Sequence, residues 1–370
     1  MKRRNFIAIA GGAVLIAGTG YYLSTDKSNC VRNDFAPAGS KKIQLKPDEN
    51  KILYLASLAP SGHNTQPWLI KYLAPYYWII GNDKKKWLTA VDPNQRETIL
   101  SIGAFIQNLE YAANSLGYDC QFNIMATSNQ DENIVAVKLN KGFKSNYDVQ
   151  KIIQRRTIRS NILSDPFRKT DIDFLINDEP DDLHFIPNTS KEYRLINEQT
   201  IEANRIQSYR NTAEQELSNW IRFSSNDAKK HRDGLTAASM EIEGISGWVV
   251  RNFYGKSNVM SKSFREQNIS NVVKQVSQSA GWMLITSEGN SVATLIETGK
   301  RMQRLFLKVR EKGIAIHPMT QILEEPSIQQ NFNHSIGISE NIQFILRTGY
   351  LKSYPDPVSL RRPIDWFIHV

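Results

Sequence analysis

The sequence predicts an α+β protein made of two related halves. Two amphipathic segments, residues 102–119 and 298–316, place apolar residues at helical spacing and then carry a glycine that ends the helix. An apolar strand candidate precedes each segment, and another follows it. A polar, mostly helical region, residues 197–275, lies between the two copies. Because one order of elements occurs twice, we predict an internal duplication.

The two helical segments also share individual residues at equal spacing. In the first copy these are Gly103, Gln107, Leu109 and Gly117. In the second copy they are Gly299, Gln303, Leu305 and Gly313. The flanking strands match as well, with YWIIG and GWMLIT before the helices and CQFNIMA and IAIHPM after them. The alternative is two unrelated amphipathic helices that end in glycine, a common arrangement.

The N-terminus has the plan of an export signal. Lys2, Arg3 and Arg4 precede a mostly apolar run over residues 6–23, which is typical of a bacterial twin-arginine signal. The alternatives are an ordinary secretory signal or a short membrane anchor, since no cleavage site is clear. We therefore predict a protein that is exported, and is either periplasmic or anchored facing the periplasm.

The remaining chain divides by composition and by the duplication. Residues 25–46 form a polar, lysine-rich stretch that we expect to be a tether. The first half is expected over residues 47–145 and the second over 146–370. Within the second half, residues 197–275 form either an arm or lid over a site or a plain packing element.

Composition limits the possible partners. The chain has 370 residues and a net charge of +9, which favours anionic ligands such as phosphate groups. Its basic residues are spread along the chain and show no nucleic-acid-binding motif, so we expect no nucleic-acid partner. With two cysteines and scattered histidines, we also expect no bound metal.

Three polar or basic clusters carry the candidate chemistry. The first follows an apolar run and contains Pro60, Ser61, Gly62, His63, Asn64 and Gln66. The second contains Arg155, Arg156, Thr157 and Arg159, and the third contains Arg361 and Arg362. Arginine offers a planar fork that binds phosphate oxygens in pairs. Each basic cluster alone is typical of a solvated surface, but together they suit one phosphate held by distant parts of the chain.

Common nucleotide and hydrolase motifs are missing from the sequence. It has no phosphate-binding loop of the Walker type, no dinucleotide-binding glycine fingerprint and no nucleophile elbow. A P-loop nucleotide, a Rossmann dinucleotide and a hydrolase triad are therefore not predicted, and no catalytic residue is assigned.

The motifs resemble those of nitroreductases. APSGHNTQPW resembles the segment of that family that wraps the flavin, RRTIRS resembles its opening arginine segment, and residues 102–119 resemble its central helix. The resemblance covers about residues 50–370. The opening segment follows the Pro-Ser-Gly segment here, the reverse of the usual order. That order and the duplication resemble the Acg-like twin relatives, in which two degenerate halves of one chain imitate a homodimer.

The resemblance implies a cofactor, FMN, and a role for each cluster. Arg155, Arg156, Thr157 and Arg159, with Arg361 and Arg362, match the residues that bind the FMN phosphate and the polar edge of the ring. Pro60, Ser61, Gly62, Asn64 and Gln66 match the segment that reaches over FMN from the other half. His317, Pro318 and Met319 lie where the family presents backbone to the reactive edge of the flavin. His63 and His317 are either polar lining or proton donors.

The predicted function is therefore an exported FMN-binding oxidoreductase that passes hydride or electrons to a small acceptor. Only the second half keeps the opening arginine segment, so we expect one FMN per chain and a monomer that acts as an internal pseudo-dimer. The electron donor and the acceptor are not predicted. One alternative is a protein that stores or sequesters flavin with little turnover. Another is a basic surface protein that binds anionic polymers.

Overall fold

A computed structural model describes residues 26, 29–36, 39–40 and 43–370. The predicted export segment, residues 1–24, lies outside the described residues. Within the described part, no helix is both long enough and apolar enough to cross a membrane.

The N-terminal part contains a helix, a β-hairpin, a long central helix and two further strands. These are α1 (Pro47–Ser57), β1 (Trp68–Ala74), β2 (Tyr77–Asn82), α2 (Arg96–Ser115), β3 (Tyr118–Ile124) and β4 (Asn133–Lys141). The C-terminal part begins with α3 (Gln150–Gln154), α4 (Lys169–Ile176) and β5 (Leu183–Pro187).

The predicted arm follows β5 and is mostly helical. Its elements are α5 (Lys191–Tyr209), α6 (Asn211–Trp220), β6 (Ile221–Arg222), α7 (Ser225–His231), β7 (Leu235–Thr236), α8 (Gly244–Phe253), α9 (Lys256–Val259) and α10 (Lys262–Val276). The chain ends with β8 (Gly281–Ser287), α11 (Val292–Lys308), β9 (Ile314–Pro318), α12 (Gln321–Glu324), α13 (Pro326–Ser335), β10 (Asn341–Tyr350) and β11 (Ile368–His369).

The two main sheets have the same strand order. The first runs β11-β1-β2-β4-β3, and the second runs β5-β8-β10-β9. In both sheets the strand after the central helix lies at the edge, and all neighbouring pairs of these four strands are antiparallel. The first sheet also gains β11, which runs parallel to β1. The predicted order of strand, helix, glycine and strand is thus present twice, and the end of the chain returns to the first sheet.

Glycines with left-handed backbone conformations follow both central helices, as predicted: Gly117 two residues after α2, and Gly313 after a 3-10 turn (Val309–Lys312) that continues α11. Gly117 has a φ of +81° and Gly313 a φ of +62°, and both conformations are strained for residues with a side chain. The first helix begins at Arg96, six residues before the predicted segment. The residue before it, Gln95, is left-handed and makes no side-chain capping bond, so the sequence carries no start signal there.

The two central helices cross at their equivalent glycines. A Cβ atom added to Gly103 would lie 3.0 Å from the Cα atom of Gly299 and 2.2 Å from the carbonyl oxygen of Ile296. A Cβ atom added to Gly299 would lie 2.1 Å from the carbonyl oxygen of Leu100. Both positions therefore require glycine, because only glycine lets the two backbones approach this closely.

Two hydrogen bonds next to this crossing are also related by the duplication. Gln303 Nε2 donates to Asn108 Oδ1 at 2.7 Å, and Arg304 Nη1 donates to Gln107 Oε1 at 2.9 Å. In the shared spacing, Gln107 corresponds to Gln303 and Asn108 to Arg304, so each bond is the counterpart of the other. This reciprocal pairing is the geometry of a two-fold contact between identical surfaces.

One continuous core joins α2, α11 and the inner faces of both sheets. The outer face of the second sheet carries Trp282 and Leu284, which belong to a second core cluster with Tyr193 of α5 and Val272 of α10. The first and last helices of the predicted arm therefore pack on the sheet. Its middle part reaches the candidate site.

Candidate functional site

The loop between α1 and β1 has a strained backbone. His63, Asn64 and Gln66 adopt φ angles of +46°, +55° and +57°, although none of them is glycine. Such conformations cost about 1–3 kcal/mol each, and they persist only where the surroundings hold them. Strain of this kind is concentrated at ligand-binding sites, which makes this loop a candidate site.

Asn64 is held by the arm and by the C-terminal segment. Its Nδ2 atom donates to the carbonyl oxygens of Gly234 at 3.1 Å and Leu360 at 3.2 Å. Its Oδ1 atom accepts from Arg361 Nη1 at 2.8 Å. Three sequence-distant segments are thus joined at one buried amide.

Gln66 makes a parallel set of contacts. Its Nε2 atom donates to the carbonyl oxygen of Arg232 at 3.0 Å, and its Oε1 atom accepts from the backbone N–H of Arg362 at 2.8 Å. Its own backbone N–H donates to Ser61 Oγ at 2.9 Å. The guanidinium of Arg362 donates to the carbonyl oxygen of Trp68 at 2.9 Å and lies 3.5 Å from Asp83 Oδ2. Arg362 is therefore paired within the protein.

Arg155 and Arg361 meet at the start of the loop. Arg155 Nη2 and Arg361 Nη2 both donate to the carbonyl oxygen of Leu58, at 3.2 Å and 3.0 Å. Arg361 also donates to the carbonyl oxygens of Ala59 and Leu360. Nε and Nη1 of Arg155 and Nε of Arg361 are buried without a protein partner. The predicted convergence of these two arginines is present.

The charge of this arginine pair is not compensated within the described residues. Neither guanidinium forms an ion pair with a described carboxylate. Burial lowers the pKa of Arg155 to about 9, and burial and the charge of Arg155 hold the pKa of Arg361 well below its usual value. Both shifts mean that the charged form is poorly solvated. An anion bound here would remove that penalty.

The opening arginine segment presents alternate residues to opposite sides. Arg155 and Arg159 face inward, and Arg159 Nη1 donates to the carbonyl oxygen of Ser239 at 3.0 Å. Arg156 instead pairs with Glu241 at 3.1 Å and lines a cleft of about 710 Å³, together with Ser160. Arg156 is therefore separated from Arg155 and Arg361, because neighbouring residues of an extended chain point in opposite directions.

The cleft and the arginine pair compete as candidate anion sites. The cleft is large enough for a small ligand. However, Glu241 neutralises Arg156 there, and the same carboxylate accepts from the backbone N–H groups of Arg159 and Ser160. Arg156 Nε is also buried without a partner, but the guanidinium groups that lack a carboxylate partner, those of Arg155 and Arg361, lie on the other side of the segment. The distribution of charge therefore favours the inward face for an anionic ligand.

The two candidate histidines lie near Arg159. Burial, together with the charge of Arg159, lowers the pKa of His63 to about 4. Burial, Arg347 and Arg159 hold the pKa of His317 well below its usual range. Nδ1 of each ring is buried without a partner. Both shifts disfavour the cationic form of these rings, because a buried imidazolium beside arginine charges is poorly stabilised.

Met319 and Pro318 do not present a free backbone donor. The N–H of Met319 donates to the carbonyl oxygen of Ile345 at 2.9 Å, and proline has no N–H.

Among the predicted loop residues, Pro60 and Ser61 are half-buried. A Cβ atom on Gly62 would lie 3.0 Å from Leu88 Cδ1. Thr157, in the opening segment, is also half-buried.

A carboxylate cluster beside this site was not predicted from the sequence. Thr320, which directly follows Met319, has its hydroxyl oxygen 3.1 Å from Glu97 Oε1 and 2.9 Å from Glu324 Oε1. Burial and the charge of Glu97 raise the pKa of Glu324 to about 8 and the pKa of Asp92 to about 7. Glu324 lies far from Asp92 and Glu97 in the chain, so the spacing of these acids carries no sequence signal.

Comparison with known proteins gives one distant relative over most of the chain. The chain is 22% identical over 344 residues to the "Putative NAD(P)H nitroreductase acg" of Mycobacterium tuberculosis, strains CDC 1551 and H37Rv. The match covers 85% of this chain and 93% of the mycobacterial protein. No protein-family model matches the chain.

Two solved structures are weakly similar. A "Nitroreductase-like Family Protein" from Bacillus cereus is 13% identical with a TM-score of 0.34, covering 61% of this chain and 97% of its own. A "putative nitroreductase" from Anabaena variabilis is 10% identical with a TM-score of 0.33, covering 88% and 94%. TM-scores this low do not establish a shared fold. It is the mycobacterial relative that supports a distant, family-level relationship between this chain and the nitroreductases.

Proposed function

We propose that this protein is an FMN-binding oxidoreductase of the nitroreductase type. The phosphate of FMN would be held by Arg155 and Arg361, and the ring would lie between the strained loop and the segment that contains His317. The name of the mycobacterial relative suggests NAD(P)H as a donor, and we carry that to this chain only as a proposal.

One observation carries the proposal. Arg155 and Arg361, each nine-tenths or more buried, share the carbonyl oxygen of Leu58 and leave three guanidinium nitrogens without a protein partner. A guanidinium stays protonated in proteins, so burial leaves its charge in need of a partner. A phosphate dianion would supply acceptors and compensating charge, each contact contributing about 1.5–3 kcal/mol.

The protein residues would bind, orient and exclude water, and the bound FMN would supply the redox chemistry by accepting and passing on a hydride. His63 and His317, whose lowered pKa values disfavour the cationic form, would line the ring. The bonds of Asn64 and Gln66 to the arm and the C-terminal segment would hold the loop in the conformation that reaches the ring.

The architecture supports the further proposal that the chain is an internal pseudo-dimer. Its supports are the equal strand orders, the crossing of Gly103 with Gly299 and the two reciprocal hydrogen bonds. Since only the second half carries the opening arginine segment, we propose one FMN per chain. We also propose export through the twin-arginine pathway, which carries folded, cofactor-loaded proteins.

The test is a visible spectrum of the purified full-length protein, followed by titration with FMN. We expect a yellow protein, or one that becomes saturated with one FMN per chain. Oxidation of NADPH with a quinone or a nitroaromatic acceptor then measures turnover. A colourless protein that does not quench FMN fluorescence at any concentration would contradict the proposal.

One observation favours flavin storage as a second candidate. The middle of the arm covers the site, because the carbonyl groups of Arg232 and Gly234 hold the loop and Glu241 holds the opening segment. An arm that stays closed would keep substrate from the ring. Tight FMN binding without turnover would support storage, and turnover with either acceptor would support the enzyme.

A further inference from the structure

The segment before α1 packs on the folded body next to the proposed phosphate site. Arg32 is 7% exposed, and its backbone N–H donates to the carbonyl oxygen of Val358 at 3.2 Å. Its guanidinium donates to the carbonyl oxygen of Ile153. Ile153 lies two residues before Arg155, and Val358 lies three residues before Arg361. Arg32 is thus hydrogen-bonded to both segments that carry the proposed phosphate ligands.

Arg32 is also an electrostatic neighbour of both ligands. Burial is the main cause of the lowered pKa values of Arg155 and Arg361, and the positive charge of Arg32 lowers both of them further. Within the described ranges, Arg32 forms no ion pair with a carboxylate, and neither do the other two. Burying like charges together without an anion is unfavourable, because no opposite charge replaces the lost solvation. The cluster therefore has a net requirement for negative charge.

A small cavity opens beside Arg32 and Arg361. Its volume is about 30 Å³, which exceeds the roughly 10–15 Å³ that a single water needs. Arg32, Arg361 and Arg362 line it together with Arg232 from the arm. Phe35 covers Arg232, with the guanidinium carbon 3.6 Å from the ring centroid, and Arg232 Nε is buried without a partner. The cavity is thus basic on several sides, and Phe35 and Ala36 of the N-terminal segment also line it.

We propose that Arg32 is a third phosphate-binding arginine, so that the segment before α1 makes the protein selective for FMN over flavins without a phosphate. The inference rests on the proposed function and adds a residue to the same site. It also assigns a binding role to part of the stretch that the sequence predicted to be a tether.

The experiment compares two flavins that differ only in the phosphate. Dissociation constants for FMN and riboflavin are measured by fluorescence quenching for the wild type, Arg32→Met and Arg32→Lys. Arg194→Met, which removes an exposed arginine from α5, is the matched control. We expect Arg32→Met to weaken FMN binding roughly 10-fold or more, as for loss of one charge-assisted contact, and to change riboflavin binding less than about twofold. Arg32→Lys should fall between wild type and Arg32→Met, and the control should match wild type.

Three results would overturn the inference. Equal weakening of FMN and riboflavin by Arg32→Met would make Arg32 only a packing residue, and unchanged FMN binding would exclude a role in the site. If the wild type binds FMN and Arg32→Met gives either of these results, only the inference about Arg32 is refuted. If the wild type binds neither flavin, the proposed function is refuted as well. Circular dichroism and thermal unfolding without ligand check that Arg32→Met is folded, and Arg32→Lys provides the test if it is not.

Discussion

Two charge clusters lie near the strained loop, a buried arginine cluster and a half-buried carboxylate cluster, and they deal with poorly solvated charge in opposite ways. The arginine cluster holds Arg155 and Arg361, whose guanidinium groups have no described carboxylate partner. The carboxylate cluster holds Glu97 and Glu324, joined by the Thr320 hydroxyl. A carboxyl group can avoid the cost of a poorly solvated charge by binding a proton, and the raised pKa of Glu324 reflects this. A guanidinium cannot release its proton at neutral pH, so the arginine cluster needs an anion from outside.

The geometry at Thr320 also indicates that one of the two carboxyl groups binds a proton. One hydroxyl carries one proton, so it can donate to only one of the two carboxylate oxygens. The second contact is a hydrogen bond only if that carboxyl is protonated and donates to the hydroxyl oxygen. The carboxylate cluster is therefore complete without a ligand, whereas the arginine cluster is not.

The largest expected effect is on the affinity for FMN. The double substitution Arg155→Ala with Arg361→Ala should weaken FMN binding by about 3–6 kcal/mol, because two charge-assisted contacts are lost. Titration calorimetry or fluorescence quenching measures the change. Arg194→Ala with Lys274→Ala removes two exposed charges and should leave the affinity near wild type. An unchanged affinity in the first variant would remove these arginines from the site.

The second prediction tests the protonated acid. The folded-state pKa of Glu324 lies above its unfolded value, so its contribution to stability is present at low pH and is lost as pH rises from about 4.3 towards 8. Glu324→Gln cannot lose a proton. It should therefore be close to wild type at pH 5 and more stable by roughly 1–3 kcal/mol at pH 8.

Urea unfolding at both pH values measures this difference. Glu288→Gln, at an exposed position, is the control and should show no such pH dependence. A stability difference between Glu324→Gln and wild type that stays constant from pH 5 to pH 8 would mean that Glu324 is ionised throughout.

The third prediction is that substituting Arg155 and Arg361 changes the stability of the ligand-free protein in opposite directions, because the two side chains make different hydrogen bonds. Without ligand, Arg155→Met should raise the free energy of unfolding by about 1–2 kcal/mol, because a buried charge is replaced by an apolar chain. Leu58 keeps its bond from Arg361. Arg361→Met should lower the free energy of unfolding, since the carbonyl oxygen of Ala59 and Asn64 Oδ1 lose their hydrogen-bond donor.

Chemical denaturation without and with FMN measures both variants. In the presence of FMN, the order of wild type and Arg155→Met should reverse, because only the wild type gains the full stabilisation from binding. Destabilisation of the ligand-free protein by Arg155→Met would show that the charge is already compensated.

The smallest expected effect concerns His63. Its folded-state pKa lies below its unfolded value, so the unfolded chain binds the proton first, and stability is lost as pH falls from about 6.5 to 4. His63→Asn, which tolerates the left-handed backbone, should reduce this loss by about 1 kcal/mol. Thermal unfolding at pH 4.5 and 7 measures it, with exposed His334→Asn as control. Equal pH dependence in wild type and His63→Asn would indicate a normally titrating ring.

The sequence anticipated the repeated elements because their signals are local. Apolar spacing and terminal glycines located both central helices, and the equal spacing of Gly103 and Gly299 identified residues that prove to touch. The start of α2 was missed, since Gln95 provides no capping signal. The arm was only partly understood, because its end helices pack on the second sheet through contacts that no local pattern reveals.

Site residues were predicted where a motif kept them together and missed where the fold assembled them. Arg155 and Arg361 were found as parts of motifs, but the motif also included Arg156, which faces Glu241 and the cleft. Arg32, which we propose as a third phosphate ligand, was not singled out because it sits in a polar stretch with no pattern of its own. Glu97 and Glu324 were missed because their partnership depends on a hydroxyl from a third segment.

The sequence by itself determined the duplicated order of strands and helices, the glycines that end the helices and the arginine-rich segments, because periodicity, chirality and charge are written in neighbouring residues. Only the tertiary structure decided which guanidinium groups meet at Leu58, which are neutralised by Glu241 or Asp83, and which remain without an anion. The physical reason is that the cost of a buried charge depends on what lies within a few ångströms of it in space, and chains far apart in sequence supply those neighbours.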